Sequence, residues 1–246
     1  MYRLLLHIIF YLILQEKQLN IIQIRTRTCY SMPINNHNIN QLNIIMEEPY
    51  NIIPIGDHCA ISMILNELKL RKVSYPFDWT ARAEQLHDTN MLHNVNAIYD
   101  LSFDTVPNVV KKYIGDAFTN NSKTNSTNNI WFPHDEGTTI DIFEKYERRF
   151  HRLHQDLSKK NIFVLLTRHY HINEDTFKWI MDILLSYNNN SIILFISGTD
   201  HTYFENKKYE KRVIFKHIYY DITQFYDYDY HTFRPNIKTY LSTLFY

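Results

Sequence analysis

Glycine and cysteine are both scarce in this chain, which has four glycines and two cysteines, Cys29 and Cys59, in 246 residues. Two cysteines do not make a disulfide framework, so a reducing compartment is the simpler setting. The sequence has no Gly-rich phosphate loop, no dinucleotide fingerprint and no His/Cys cluster with the spacing of metal ligands. It therefore predicts no cofactor, neither a metal ion nor a nicotinamide.

Net charge is absent as well, because 26 Lys and Arg balance 26 Asp and Glu. A chain without a global field gives no reason to expect nucleic acid or an anionic membrane as its main partner. The apolar run at residues 4–14 is too short to span a bilayer, contains a histidine and is followed by no small-residue cleavage site. No membrane span or secretory signal is therefore predicted.

The composition also bears on source and domain organisation. Heavy use of Ile, Asn, Tyr and Lys is typical of an AT-rich genome, as in some large DNA viruses, and we predict a cytoplasmic protein, in the host cytoplasm or virus factory if viral. Residues 1–45 are predicted to be an amino-terminal extension or linker, or an untranslated segment if Met46 is the start. Residues 46–246, in a chain that is 45% hydrophobic, are predicted to form a single α/β domain.

The most informative stretch begins with a short β-branched run at residues 50–55, which ends at Gly56 and suits a buried strand. Apolar residues then recur near helical spacing from Ala60 to Leu70, so a strand, a turn and a helix follow one another. Cys59 falls in the first turn of this helix, where unpaired N–H groups and the macrodipole favour negative charge. The position predicts a stabilised thiolate.

The last third alternates between strands and helices. Strands are predicted at 161–167, 191–197 and 212–219, and helices at 174–187 and 235–244. The predicted fold class is α/β, a three-layer Rossmann-like open sheet, mainly parallel, with helices on both faces. Ligands bind such folds beyond the carboxyl ends of the strands, where residues 56–59, 168–171 and 198–201 are expected.

Polar residues elsewhere allow two interpretations each. Asp78, between two large aromatics, either caps the next helix, around residues 81–87, or belongs to a site. His134, beside Asp135 and ahead of a strong helix at 139–157, is a plausible general base. On that helix three arginines form either a solvated face or an anion-binding patch: Arg148, Arg149 and Arg152. The Asn-rich residues 120–129 predict a mobile loop.

Four blocks of sequence carry a resemblance to a known family: residues 55–60, 70–79, 133–135 and 145–152. They resemble the putative papain-like cysteine peptidases, a domain of unknown function found in bacteria and large DNA viruses. The resemblance runs from about residue 50 to 201, and its Ser-Tyr-Pro-Phe-Asp-Trp block is specific. It implies that Cys59 is a nucleophile and His134 its base, and that Asp78 and the arginines belong to the site.

The predicted architecture differs from the papain fold, in which the nucleophile lies on a long helix of an α-domain and the histidine in a separate antiparallel sheet. The Gly-Asp-x-Cys turn resembles instead the nucleophile turn of GDSL-type hydrolases, where serine would stand in place of His58.

Three functions therefore remain open. The first is a thiol hydrolase of peptide or amide bonds, in which Cys59 attacks, His134 takes the proton and Asp78 or Asp135 orients the histidine. The second is a transferase or binding domain for an anionic ligand such as a nucleotide sugar. It would use the three arginines, and Asp57 is a further predicted substrate contact. The third is a non-catalytic interaction protein. The predicted partner is a peptide or small anionic substrate.

Overall fold

A computed structural model describes residues 50–57, 59–82, 90–119, 122–206, 209, 212–221, 223 and 228–246. The predicted extension at 1–45, His58 and most of the helix predicted at 81–87 lie outside the described residues. The chain separates into two units, 1–35 and 36–246, and every described residue belongs to the second. No helix in this described part is long and apolar enough to cross a membrane.

Strands and helices alternate along most of the described chain. The strands are β1 (Asn51–Gly56), β2 (Ala81–Arg82), β3 (Thr124–Asn125), β4 (Ile130–Trp131), β5 (Asn161–Thr167), β6 (Ile192–Ser197) and β7 (Val213–His217). The α-helices are α1 (Ala60–Glu67), α2 (Asn90–Asp100), α3 (Val106–Ile114), α4 (Thr139–Leu157), α5 (Glu174–Ser186) and α6 (Arg234–Phe245). A 3₁₀ segment (Thr202–Asn206) follows β6, and a π-helical segment (Asp229–Phe233) leads into α6.

The central sheet has the strand order β1-β5-β6-β7, and all three pairings are parallel. β5 and β6 are continuous apolar runs buried on both faces, as expected for inner strands of a parallel sheet. Pro54 is tolerated because β1 is an edge strand, where a missing N–H donor breaks no ladder. Strands β2, β4 and β3 form a second, separate sheet in that order, which is small and antiparallel.

Alternate residues of the central strands belong to two separate apolar cores. One core joins side chains such as Ile53, Phe163 and Phe195 to helices α2, α3, α4 and α5. The other joins their strand neighbours, such as Val164 and Leu194, to helices α1 and α6. Because side chains alternate between the faces of a strand, helices cover both faces of the sheet. The predicted open, mainly parallel α/β sheet with helices on both faces is confirmed.

Local chemistry explains where the longest helix begins. Thr138 accepts a hydrogen bond from the Asp141 N–H, and the Asp141 carboxylate accepts one from the Thr138 N–H, so the two residues form a capping box. The predicted apolar stripe of α4 is buried, with Tyr146, Phe150 and Leu153 inaccessible to solvent. The predicted bounds 139–157 are confirmed.

Residues 122–129, the described part of the Asn-rich segment, include regular structure. They contain β3 and the buried Asn125, whose side-chain amide donates to the carbonyls of Tyr113 and Lys112 at 2.9 and 3.2 Å. The strand and the buried side chain were not predicted, whereas residues 126–129 form a turn. A polar side chain can be buried at low cost when it replaces missing backbone partners.

His201 ties together the loops that follow β5 and β6. Its Nε2 accepts a hydrogen bond from the Ile172 N–H at 3.1 Å, so its Nδ1 carries the proton and donates to the Thr199 carbonyl at 3.0 Å. The ring is buried and stacks on His171 at a centroid distance of 4.6 Å. Burial, followed by the neighbouring His171, lowers the pKa of His201 to about 4.

We expect this histidine to make the protein less stable in acid. Its pKa in the folded chain lies below the ordinary value near 6.5, so the unfolded chain binds more protons between these values and stability falls as the pH drops through this window. The full loss is on the order of 3 kcal/mol of unfolding free energy. Urea denaturation of the wild type and His201→Gln at several pH values measures it. The stability advantage of the wild type should shrink toward acid, and an advantage that stays constant would contradict the assignment.

Candidate active site

Cys59 stands at the carboxyl edge of the central sheet, where ligands bind in open parallel folds. β1 ends at Gly56, and the Asp57 N–H still donates to the Leu166 carbonyl of the β5 strand at 3.0 Å. Cys59 is the N-cap residue of α1, and its carbonyl accepts the Met63 N–H at 3.0 Å. The cysteine is half-buried at the start of this helix.

A buried ion pair lies beneath this turn. The Asp57 Oδ2 atom accepts hydrogen bonds from the Arg168 backbone N–H at 2.9 Å and from its Nε at 3.2 Å. Both side chains are almost inaccessible to solvent. Burial alone would lower the pKa of Arg168, but Asp57 and then Asp229 outweigh it, so the pKa is raised and the guanidinium keeps its charge. The pair joins the ends of β1 and β5.

A second ion pair reaches the same edge from the start of α6. The Nε and Nη2 atoms of Arg234 both lie 2.8 Å from the Asp229 Oδ2. The guanidinium stacks on Tyr230 at 4.2 Å, and its Nη1 lies 3.8 Å from the Met63 sulfur. Since Met63 is one turn beyond Cys59, this contact brings Arg234 to the beginning of α1.

The charges around Cys59 act on its thiol in opposite directions. Burial is the largest effect and raises the pKa of Cys59, while Arg234 and, less strongly, Arg168 lower it and Asp229 raises it. The result is a pKa above the ordinary thiol value. The predicted stabilised thiolate is therefore wrong for the resting protein, because the sequence pattern revealed the helix start but not the desolvation. A base must take the proton before this sulfur can attack.

Asp78 occupies a buried position on the loop that precedes β2. Its carboxylate accepts hydrogen bonds from the Ser62 hydroxyl at 3.2 Å and the Tyr75 N–H at 3.0 Å, and it pairs with Arg71 at 2.9 Å. Burial raises its pKa, although Arg71 opposes the shift. Ser62 lies three residues after Cys59, so Asp78 connects this loop to the first turns of α1.

His134 and Asp135 lie on the loop between β4 and α4. His134 is exposed, and its ring meets the Trp79 ring edge to face at 5.4 Å. Asp135 is buried, accepts a hydrogen bond from the Tyr146 hydroxyl at 2.7 Å and pairs with Lys145. Among the described contacts, no hydrogen bond or ion pair joins either residue to the cysteine. Trp79 follows Asp78 directly, so His134 lies near the Asp78 loop.

The three predicted arginines have different surroundings. Arg148 is exposed. The Arg149 guanidinium lies over the Tyr146 ring at 5.4 Å, and its buried Nη1 has no hydrogen-bond partner among the described residues. Arg152 donates from Nη1 to the Ser74 carbonyl at 2.6 Å. Arg152 is therefore hydrogen-bonded to the Asp78 loop, whereas the Nη1 donor of Arg149 has no partner among the described residues.

Sequence reasoning placed Arg168 within residues 168–171, where ligands are expected, but gave no role to Asp229 or Arg234. Arg168 carried a usable signal, since it is the first residue after a buried parallel strand. Asp229 and Arg234 carried none, because only the folded chain brings the start of α6 to the end of β1. No group of three or more His, Cys, Asp or Glu side chains in the described ranges is arranged to hold a metal ion.

Comparison with known proteins gives one match. A family model described as putative papain-like cysteine peptidase matches residues 50–193, more than half of the chain. The matched span includes Cys59, Asp78, His134 and Arg168, and it ends inside β6, before Asp229 and α6. Searches of curated proteins and of solved structures found no match.

Proposed function

Because the chain belongs to the putative papain-like cysteine peptidase family, we propose that it is a cysteine-dependent hydrolase whose nucleophile is Cys59. One observation carries the proposal: a half-buried cysteine begins a helix at the carboxyl edge of a parallel sheet, within the influence of two guanidinium groups. The backbone N–H groups at that helix start are suited to hold an oxyanion. The proposed substrate is a peptide or a small anionic amide.

The proposed reaction has two steps. The Cys59 sulfur attacks the carbonyl carbon while a base takes the thiol proton, and the amine leaves with a proton as a thioester forms. Water then adds to the thioester, releasing the acid and restoring the thiol. Because burial raises the pKa of Cys59, the first step depends on the base. We propose His134 for this role, with Asp78 or Asp135 as the carboxylate that orients it.

Hydrolysis of 4-nitrophenyl acetate provides a test that needs no knowledge of the natural substrate. Cys59→Ser is expected to abolish turnover above the uncatalysed rate without changing the unfolding transition, since the Cys59 side chain makes no capping hydrogen bond. Cys29→Ser is the matched control and is expected to keep full turnover. A Cys59→Ser protein that hydrolyses the ester as fast as the wild type would disprove the proposal.

His134→Gln tests the base separately. If His134 takes the proton, turnover near neutral pH is expected to fall by roughly 100-fold, within the range for loss of a general base. Near and above the thiol pKa the loss should shrink, because the sulfur then ionises without help. An equal loss at every pH, or no loss, would exclude His134 as the base and leave Cys59 as nucleophile.

An anion-binding function is the second candidate, and the buried donor of Arg149 favours it. A phosphate that accepted a charged hydrogen bond from this guanidinium would gain on the order of 1.5 to 3 kcal/mol. Calorimetric titration with UDP-glucose of the wild type, Arg149→Ala and Cys59→Ser distinguishes the two functions. Binding lost only in Arg149→Ala supports the second candidate, and absence of binding in the wild type excludes a nucleotide-sugar site.

A further inference from the structure

The guanidinium of Arg234 is fixed from three directions. Asp229 holds its Nε and Nη2, each at 2.8 Å, and the Tyr230 ring lies 4.2 Å from the guanidinium carbon. Its third nitrogen, Nη1, points to the Met63 sulfur at 3.8 Å. The Met63 N–H in turn donates a hydrogen bond to the Cys59 carbonyl at 3.0 Å. A group with so little freedom presents its charge at a constant position relative to the first turn of α1.

The described charged groups that act on Cys59 come from two elements. Arg168, at the end of β5, is buried and hydrogen-bonded to the Asp57 carboxylate. Arg234 and Asp229 come from the start of α6, and the Arg234 side chain is 13% exposed. Of the two arginines, Arg234 has the stronger effect on the thiol. A new negative charge on the sulfur is therefore expected to interact more strongly with Arg234 than with Arg168.

We propose that Arg234, oriented by Asp229, is a positioning residue that holds the Cys59 thiolate as it forms. The proposal rests on the role of Cys59 as nucleophile and adds a residue outside the span that the family match covers. Arg234 would then offset the burial that favours the neutral Cys59 thiol. The thiol proton is still transferred to the base. Arg234 accepts no proton, because its guanidinium stays charged throughout.

The rate of Cys59 alkylation by iodoacetamide, followed against pH by mass spectrometry on the full-length folded protein, tests this role. Arg234→Gln is expected to raise the midpoint by about one pH unit, so the rate at a fixed pH below the midpoint falls about tenfold. Arg234→Lys keeps the charge but not the fork that holds Asp229, and is expected to shift the midpoint less, in the same direction. Arg212→Gln is the control, because this exposed arginine precedes β7 at the opposite end of the sheet.

The outcomes separate this proposal from the hydrolase itself. A folded Arg234→Gln protein whose midpoint matches the wild type would overturn the role of Arg234, even if Cys59→Ser had lost all turnover. If Arg234→Gln does not give a native circular dichroism spectrum, Arg234→Met replaces it, because it also removes the charge, and a folded Arg234→Met protein with an unshifted midpoint would overturn the role. If the midpoint is shifted in Arg234→Gln but Cys59→Ser still hydrolyses the ester, the effect of Arg234 on the thiol is supported and the role of Cys59 as nucleophile is refuted.

Discussion

Gly198→Ala is expected to destabilise the folded protein by about 4 kcal/mol or more, or to prevent folding, which places it among the most severe single substitutions. A Cβ atom at this position would lie 1.7 Å from the Arg168 carbonyl oxygen and 2.5 Å from the Tyr220 Cβ. Neither neighbour can move easily, because the Gly198 N–H donates to the Thr167 carbonyl at 2.8 Å and the Tyr220 N–H donates to the Gly198 carbonyl at 3.2 Å. The residue is glycine because the ends of β5 and β6 approach each other here.

Gly137→Ala is the matched control for this steric effect. Its Cβ would meet nothing closer than 3.3 Å, although its φ of +121° makes any side chain strained. The expected loss is therefore smaller, about 1 to 2 kcal/mol. Urea denaturation compares the two variants. Equal losses, or a mild effect at Gly198, would contradict the close approach of the strand ends.

Arg168→Met is expected to cost about 3 to 5 kcal/mol of unfolding free energy, because it leaves the Asp57 carboxylate buried without its cation. Both partners are almost inaccessible to solvent, so water cannot replace the lost charge. Adding Asp57→Asn to this variant should recover part of the loss, since the uncompensated charge then disappears.

An exposed ion pair provides the comparison. Lys238 and Glu67 approach to 2.7 Å, but their side chains are 47% and 51% exposed. Lys238→Met is therefore expected to change stability by less than about 1 kcal/mol. Similar losses for Arg168→Met and Lys238→Met in urea denaturation would show that the Asp57 pair is not the buried contact that the structure describes.

Much of the fold was predictable because burial imposes a period on the sequence. The apolar runs at β5 and β6 predicted inner parallel strands, and the stripe through Tyr146, Phe150 and Leu153 predicted α4 with its observed bounds. These signals are local and repeated, so one exception does not obscure them. The burial of Asn125 was not predicted because the carbonyls that bind it belong to the end of α3, a non-local partner.

The site was less predictable than the fold. The start of a helix after β1 identified Cys59 as a candidate, but the sign of its pKa shift depends on desolvation, which no sequence pattern reports. Asp229 and Arg234 lie about 170 residues beyond Cys59 in the sequence, so no local pattern connects them with this edge. Asp78 was predicted to belong to the site, and the Ser62 hydroxyl that it binds lies one turn from the cysteine. The identity of this partner depends on tertiary packing and could not be read from the sequence.

Peptide mass spectrometry after brief reaction with 4-nitrophenyl acetate tests the nucleophile most directly. We expect an acetyl group on the peptide that contains Cys59, removable by neutral hydroxylamine as a thioester, in the wild type and in Cys29→Ser but not in Cys59→Ser. A folded wild-type protein that hydrolyses the ester while Cys59 never carries a hydroxylamine-labile acetyl group would contradict the assignment of this cysteine as the nucleophile.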